Sequence, residues 1–181
     1  MNQLNLGCGL KKLDGFINVD NRTICNPDVC HDLNLLPYPF PNNTFKKIIL
    51  DHVIEHLDNT LLLLTELHRI ALNDAEIIIK CPHFSANWVH PGHKSPISVH
   101  LFDFFGKNVE ESYSDIEFKV EKLKLSWMRP GGRGKRNSFI FRGLSLVINF
   151  FANLSPAITE RLWCYNVGGF EEIEFRVRVI K

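Results

Sequence analysis

Leu4-Asn5-Leu6-Gly7-Cys8-Gly9 carries an apolar strand into a glycine loop, and Ile17-Asn18-Val19-Asp20, after a short polar turn, ends a second strand in a carboxylate. Glycines let backbone N–H groups approach a ligand closely, and a carboxylate one strand over can accept hydrogen bonds from both ribose hydroxyls. The two stretches outline an adenosine-binding crevice. Spacing then separates the ligand classes. A dinucleotide fingerprint has G-x-G-x-x-G, a helix opening on the third glycine, and an acid about 20 residues on. Here Lys12 stands where the third glycine belongs, and Asp20 follows Gly9 too soon. The crevice suits one nucleoside without a pyrophosphate, which favours S-adenosylmethionine over NAD or FAD.

A chain of 181 residues with 45% hydrophobic and 23% charged residues is expected to form one domain with a large core. A formal net charge of +1 removes any global pull toward nucleic acid. Cys8, Cys25, Cys30, Cys81 and Cys164 are an odd number without a C-x-x-C pair, which points to a reducing, cytoplasmic setting. There is neither a basic segment followed by an apolar run at the N-terminus nor a long uncharged apolar stretch. The expectation is a soluble protein, at most peripheral to the inner face of a membrane.

Short apolar runs alternate with helical patterns, the signature of a parallel sheet covered by helices. Strands are expected at 3–6, 17–20, 28–31, 46–50 and 76–80. Between the last two, Leu61, Leu64, Leu67, Ile70 and Ala71 recur at helical spacing behind a cap at Asp58 or Asn59, with Glu66 and Arg69 on the other side. After residue 115 the period becomes two. Phe118 and Val120, then Leu123, Leu125 and Trp127, line one face, with a bulge at Glu121 and Lys122. In the last strand Ile173, Phe175, Val177 and Val179 alternate with Glu174, Arg176 and Arg178, so the sheet is expected to finish with an antiparallel pair.

From Leu4 to about Pro82 the chain resembles the class I S-adenosylmethionine-dependent methyltransferases, especially the small ones of the methyltransferase type 11-like group whose first motif reads L-N-L-G-C-G. The ordered series carries the resemblance: Leu4 to Gly9, Asp20, His31-Asp32-Leu33 leading into Leu36 to Phe45, Ile48 to Leu57, and Glu66-Leu67-His68-Arg69-Ile70 before a strand ending at Pro82. The resemblance implies a Rossmann-like α/β fold with a mostly parallel twisted sheet and S-adenosylmethionine as cofactor. It assigns Asn5, Gly7, Cys8 and Gly9 to the cofactor loop, with Gly7 and Gly9 along the methionine portion. Asp20 would hold the ribose hydroxyls, and Asp32 with the Leu33 backbone would meet the adenine. Asp51 and His52 would face the sulfonium and the incoming substrate.

The chain departs from that family in three places. Asn5 stands where members usually carry an acid. Residues 7–16 leave room for about one helical turn, although parallel crossovers normally need a dozen or more residues, so a shortened first helix is expected. Leu72-Asn73-Asp74-Ala75 replaces the usual Pro-Gly-Gly turn, which is read as a changed loop. His52-Val53-Ile54-Glu55-His56 also fits H-x-x-E-H, the inverted zinc-peptidase pattern. That motif directly follows an apolar strand, so no metal is expected.

Residues 81–106 form a loop at the sheet edge where ligands bind in such folds, broken by Pro82, Pro91 and Pro96. Methyl transfer from a sulfonium is an in-line displacement in which a base helps when the acceptor is a hydroxyl or a protonated amine. His52, His83, His90 and His93 are the candidate bases. Between Glu121 and Glu160 there is no acid, while Lys122, Lys124, Arg129, Arg133, Lys135, Arg136 and Arg142 all fall there, several around the glycine loop 131–136. An apolar helix pattern follows at 139–151. Residues 128–169 read as an insertion before the last strand. Three uses are open: binding a phosphorylated or nucleotide-sugar acceptor, peripheral membrane contact through 129–151, or packing on the domain or a second subunit of a homodimer. Packing is favoured, because apolar helices are usually core.

The reading is a single domain, 1–181, that transfers a methyl group from S-adenosylmethionine to an oxygen or nitrogen of a small-molecule or carbohydrate-like acceptor. By analogy the acceptor is phosphorylated or lipid-linked and belongs to polysaccharide assembly. No aromatic ladder interleaved with basic residues suggests nucleic acid. The alternative is a cofactor-binding protein without turnover that acts as an interaction partner. A zinc hydrolase using His52, Glu55 and His56 comes third.

Overall fold

Alternating apolar residues set seven strands in one sheet. The computed structural model describes residues 2–87, 90–106, 115–128 and 139–181. The strands are β1 (Gln3–Leu6), β2 (Ile17–Asp20), β3 (Val29–Cys30), β4 (Phe45–Asp51), β5 (Ala71–Cys81), β6 (Glu117–Ser126) and β7 (Glu172–Ile180). They lie in the order β3-β2-β1-β4-β5-β7-β6. β1 to β5 pair in parallel, and β7 runs antiparallel to both β5 and β6. This is the mostly parallel α/β sheet with an antiparallel last strand that the sequence predicts. Ile173, Phe175, Val177 and Val179 are fully buried, and the register shift in β6 falls between Val120 and Lys122, where the bulge is predicted.

α1 (Thr60–Ile70) is the crossover between β4 and β5, and the Asn59 side chain caps it by accepting the Leu62 N–H at 3.0 Å. Leu63, Leu64, Leu67 and Ile70 bury its inner face. Glu66 departs from the expected outward placement. It is buried, accepts the Tyr38 N–H at 2.6 Å, and pairs with Arg69 at 2.6 Å. Arg69 in turn donates to the Phe40 and Tyr38 carbonyls. Burial alone would raise the Glu66 carboxyl, but Arg69 and the Tyr38 N–H outweigh it and hold it below the ordinary range. The pair clamps the 38–42 segment onto the helix.

Residues 72–75 are not the expected loop. β5 begins at Ala71, directly after the helix, and takes up the extra residues as a bulge between the Phe45–Ala71 and Lys47–Glu76 pairs, with Asp74 left-handed at φ 61°.

α3 (Phe139–Ala152), which follows the short α2 (Phe84–Asn87), lies between β6 and β7 together with α4 (Pro156–Thr159) and a π-helical turn (Glu160–Cys164). Packing of α3 as a core helix is not what the fold provides. Only Ala152 is buried in it, while Phe139, Ile140 and Leu146 are 89%, 75% and 72% exposed. Ala152 joins the core and Ile148 packs against it, and the rest of its attachment is polar. Asn149 accepts the Trp127 N–H at 2.7 Å, and Asn153 accepts the Leu125 N–H at 2.7 Å while donating to the Leu125 carbonyl at 2.8 Å. These two amides bond the edge strand at Leu125 and the chain just past it at Trp127. The predicted glycine loop with Arg129, Arg133, Lys135 and Arg136 lies outside the described residues. No single described helix is long and apolar enough to cross a membrane.

The crossover from β1 to β2 contains no helix at all, where a shortened one is expected. Side-chain amides replace it. Asn5 and Asn18 are both buried, and Asn5 Nδ2 donates to Asn18 Oδ1 at 2.9 Å and to the Lys11 carbonyl at 3.2 Å. Asn18 Oδ1 accepts the Leu13 N–H, and Asn18 Nδ2 reaches the Leu13 and Phe16 carbonyls and Asp28. Asp28 also accepts the Asn18 N–H at 2.8 Å and the Lys12 ammonium at 2.8 Å. The ammonium and the Asn18 donors hold the Asp28 carboxyl down to about 2.

This network explains the departure at position 5: a carboxylate there has no N–H to give Lys11 and Asn18. Asn5→Asp should therefore lower stability by about 2 kcal/mol in urea denaturation, the cost of a buried acceptor facing acceptors. Because Asp28 is depressed in the folded state from an ordinary value of about 4, its contribution is complete above that pH and disappears as pH falls toward about 2. Asp28→Asn should flatten the acid limb of the stability profile, and an unchanged limb would show the network idle.

Candidate functional site

The carboxyl ends of β1, β2, β3 and β4 meet at one edge of the sheet, beside the reversal of strand order where open α/β sheets bind ligands. A cleft of about 400 Å³ opens there, within the range of small-molecule sites. Gly7, Asp20, Asp32, Leu33 and His52 of the predicted set line it, joined by Asn21, Arg22, His31, Asn34, Val53, His56 and Leu57. Asn5, Cys8, Gly9 and Asp51 do not. Asn5 holds the crossover instead, and Cys8 is buried. Gly9 acts through its N–H on Asp20, and Asp51 pairs with Lys11 at 3.5 Å.

Asp20 is the centre of the cleft's charge. Its Oδ2 accepts the Gly9 N–H at 2.8 Å, and its Oδ1 accepts the Arg22 N–H at 2.9 Å and Arg22 Nε at 3.3 Å. Burial pushes its carboxyl up, but the Arg22 and Gly9 backbone donors and the Arg22 side chain pull it further down, so it stays ionised. Oδ2 keeps a lone pair for a ligand hydroxyl, and at Oδ1 a second hydroxyl would take the place of the longer Arg22 Nε bond. Gly7 is left-handed at φ 65°, and a Cβ there would overlap the Val53 side chain, so only glycine lets β1 turn this closely against the β4 loop.

Asp32 turns the chain after β3. Its Oδ1 accepts the Asn34 N–H at 3.0 Å, and the Tyr38 hydroxyl donates to the Leu33 carbonyl at 3.0 Å. Both residues are thereby fixed at the cleft wall.

His52 occupies a left-handed backbone position, φ 58°, at the end of β4. Such a conformation in a non-glycine residue is held by its surroundings. Its N–H donates to the Lys80 carbonyl at 2.8 Å, and its ring nitrogens meet Glu55 Oε1 at 3.1 Å and Glu172 Oε2 at 3.2 Å. The H-x-x-E-H segment forms only a three-residue 3-10 turn, Ile54–His56. His52 and His56 are engaged by different partners, for the His56 Nδ1 donates to the Gly92 carbonyl at 3.0 Å. The zinc-peptidase pattern, two histidines one helical turn apart, is not formed.

His83 is fully buried, its Nδ1 on the Ser85 hydroxyl at 2.7 Å and its Nε2 on Glu160 at 2.9 Å. Glu160 also accepts from the Ser98 hydroxyl and the Val99 N–H. Burial lowers the His83 pKa against the raising influence of Glu160. This group ties the loop after β5 to the π-helical turn, so His83 is a strut where a base is predicted. His90 and His93 stand on the partly exposed turn of that loop, beside His56. Among the cleft residues given no role from sequence, His31 belongs to the quoted His31-Asp32-Leu33 segment, Asn34 follows it, and Arg22 follows Asp20. Proximity to a motif is the only sequence signal for them.

No family model matches the sequence, and no curated protein matches it. Solved structures do match. A SAM-dependent methyltransferase from Archaeoglobus fulgidus superposes with a TM-score of 0.55 at 17% identity, over 97% of this chain and 85% of that one. Coclaurine N-methyltransferase bound to N-methylheliamine and SAH gives 0.55 at 14% identity, over 97% and 65%. The cyclase SpnF gives 0.57 at 10% identity, over 98% and 75%. At these identities the likeness is one of fold, and the chain has the Rossmann-like fold of the SAM-dependent methyltransferases.

Proposed function

We propose that the chain binds S-adenosylmethionine in the cleft and transfers its methyl group to an oxygen or nitrogen of a small-molecule or carbohydrate-like acceptor. The observation that carries this reading is the ionised Asp20 at the carboxyl end of β2, beside the Gly7 loop and across from Asp32 and Leu33 in a cleft of nucleoside size. The donor set fits. Asp20 would hold the ribose hydroxyls, the Leu33 backbone and Asp32 would meet the adenine, and the backbone at Gly7 would run along the methionine portion. When bound, S-adenosylmethionine supplies a methyl group activated by a sulfonium. The protein's part is alignment: His52, held between Glu55 and Glu172, fixes the wall at the end of β4, and the turn at 90–93, docked on His56, would border the acceptor side.

A second reading, binding without turnover, is favoured by the missing first helix. Both readings need the nucleoside site. Calorimetric titration of S-adenosylmethionine and S-adenosylhomocysteine should give micromolar binding to the native chain, weakened about tenfold to a hundredfold in Asp20→Ala, the equivalent of a charge-assisted hydrogen bond or two. Equal affinity in the variant would remove Asp20 from the site.

The acceptor reading extends to a phosphorylated or lipid-linked sugar at the inner face of a membrane. Its support is the exposed apolar surface of α3, a basic stretch free of acids from Lys122 to Thr159, and an apolar hollow of about 510 Å³ lined by Val147, Phe151, Ile158, Leu162 and Val167. Native protein should float with anionic lipid vesicles and Leu146→Glu should not. Recovery in the soluble fraction as a dimer would give this face to a second copy of the chain.

A further inference from the structure

Three imidazoles converge beside the cleft. His56 leaves the 3-10 turn after β4, and His90 and His93 bracket the turn 90–93 in the loop after β5. Ring centroids are 5.6 Å apart for His56 and His90, 4.9 Å for His56 and His93, and 4.8 Å for His90 and His93. One nitrogen from each ring lies within 4.8 Å of the other two.

The backbone fixes this meeting. The His93 N–H donates to the His90 carbonyl at 3.2 Å, and the Lys94 N–H donates to the Glu55 carbonyl at 2.7 Å, which docks the turn on the segment that carries His56. His56 gives its Nδ1 proton to the Gly92 carbonyl at 3.0 Å, so its Nε2 holds the lone pair. A carbonyl that fixes tautomer and ring orientation is the usual outer partner of a metal-binding histidine. The Gly92 N–H donates to His90 Nδ1 at 3.0 Å, and a Cβ at Gly92 would crowd the same nitrogen at 3.2 Å. Glycine thus brings its backbone between two of the rings.

We propose that His56, His90 and His93 bind a divalent transition metal, zinc foremost, with a coordination position left open beside the cleft that His56 lines. Imidazole donors suit zinc, copper, nickel and iron, and three protein ligands with one vacancy mark a catalytic rather than a structural zinc site. A tetrahedral ion with bonds of about 2.0 Å holds its nitrogens about 3.3 Å apart, so the rings close slightly on loading. Exposed His90 supplies that movement. If it ligates through Nδ1, the ion takes the place of the Gly92 N–H. The nearby Lys94 ammonium does not oppose the ion unscreened, because it pairs with Asp58 at 2.5 Å. An ion here would polarise an oxygen of an acceptor presented to the cleft. That role rests on the proposed function, whereas metal binding does not.

The test is titration of chelator-treated native chain with Co²⁺, followed by visible absorption, and with Zn²⁺, followed by calorimetry. The expected result is one equivalent bound, with the intense ligand-field bands of four-coordinate Co²⁺. Affinity should fall at least about tenfold in His90→Ala and in His93→Ala and stay unchanged in His100→Ala, whose ring pairs with Asp103 outside the group. A pale six-coordinate Co²⁺ spectrum, or native affinity no greater than that of the His90→Ala/His93→Ala double variant, would overturn the site. The native Co²⁺ spectrum decides even where a variant folds poorly. S-adenosylhomocysteine binding measured with and without the ion separates failure of the metal site from failure of the cofactor site.

Discussion

The chain must return from the end of β1 to the start of β2 across residues 7–16, and the shape of the whole cleft depends on how it does so. A parallel crossover is normally a helix, which satisfies its own backbone as it covers the sheet. Here the return is too short for one. The buried amides of Asn5 and Asn18 take over, each bonding to backbone groups that a helix would have paired internally. An amide suits this task because it both donates and accepts. Asp28 and Lys12 close the arrangement at the surface.

This solution also builds the site. With the crossover pulled flat, the Gly9 N–H falls on Asp20 and the Gly7 backbone against Val53, so the loop and the acid are linked before any ligand arrives. An acid held by two backbone donors and a guanidinium stays charged despite its burial, which is the state a ribose hydroxyl pair needs. On the opposite wall the left-handed His52 and the 3-10 turn redirect β4 at the cleft, so that His52 and His56 both reach it. Preorganisation of this kind lowers the ordering cost of binding a flexible nucleoside.

Much of this is legible in the residues. Strand alternation in Ile173 to Val179, a bulge at Glu121 and Lys122 and a helix cap at Asp58 or Asn59 follow from local periodicity and capping chemistry; the tertiary structure agrees with them and selects Asn59 as the cap. Glu66 is misread from sequence because a carboxylate on a helix is outward by default; Arg69 is its i,i+3 neighbour on the same helix, but only the fold brings the Tyr38 N–H to it. His83 is misread for a similar reason, since its partner Glu160 lies 77 residues away. The missing first helix can be counted from loop length, but its replacement cannot, because the Asn5–Asn18 pair exists only once β1 and β2 are side by side. Composition alone puts α3 in the core. The fold instead leaves its apolar face outward and attaches it by two asparagines.

The central claim is that the cleft between Gly7, Asp20 and Asp32 is a nucleoside site. A crystal structure of the S-adenosylhomocysteine complex tests it most directly. Density is expected in this cleft, with both ribose hydroxyls on the Asp20 carboxylate and the adenine beside Leu33. Saturating ligand with the cleft empty, or an adenosine bound elsewhere on the chain, would contradict it.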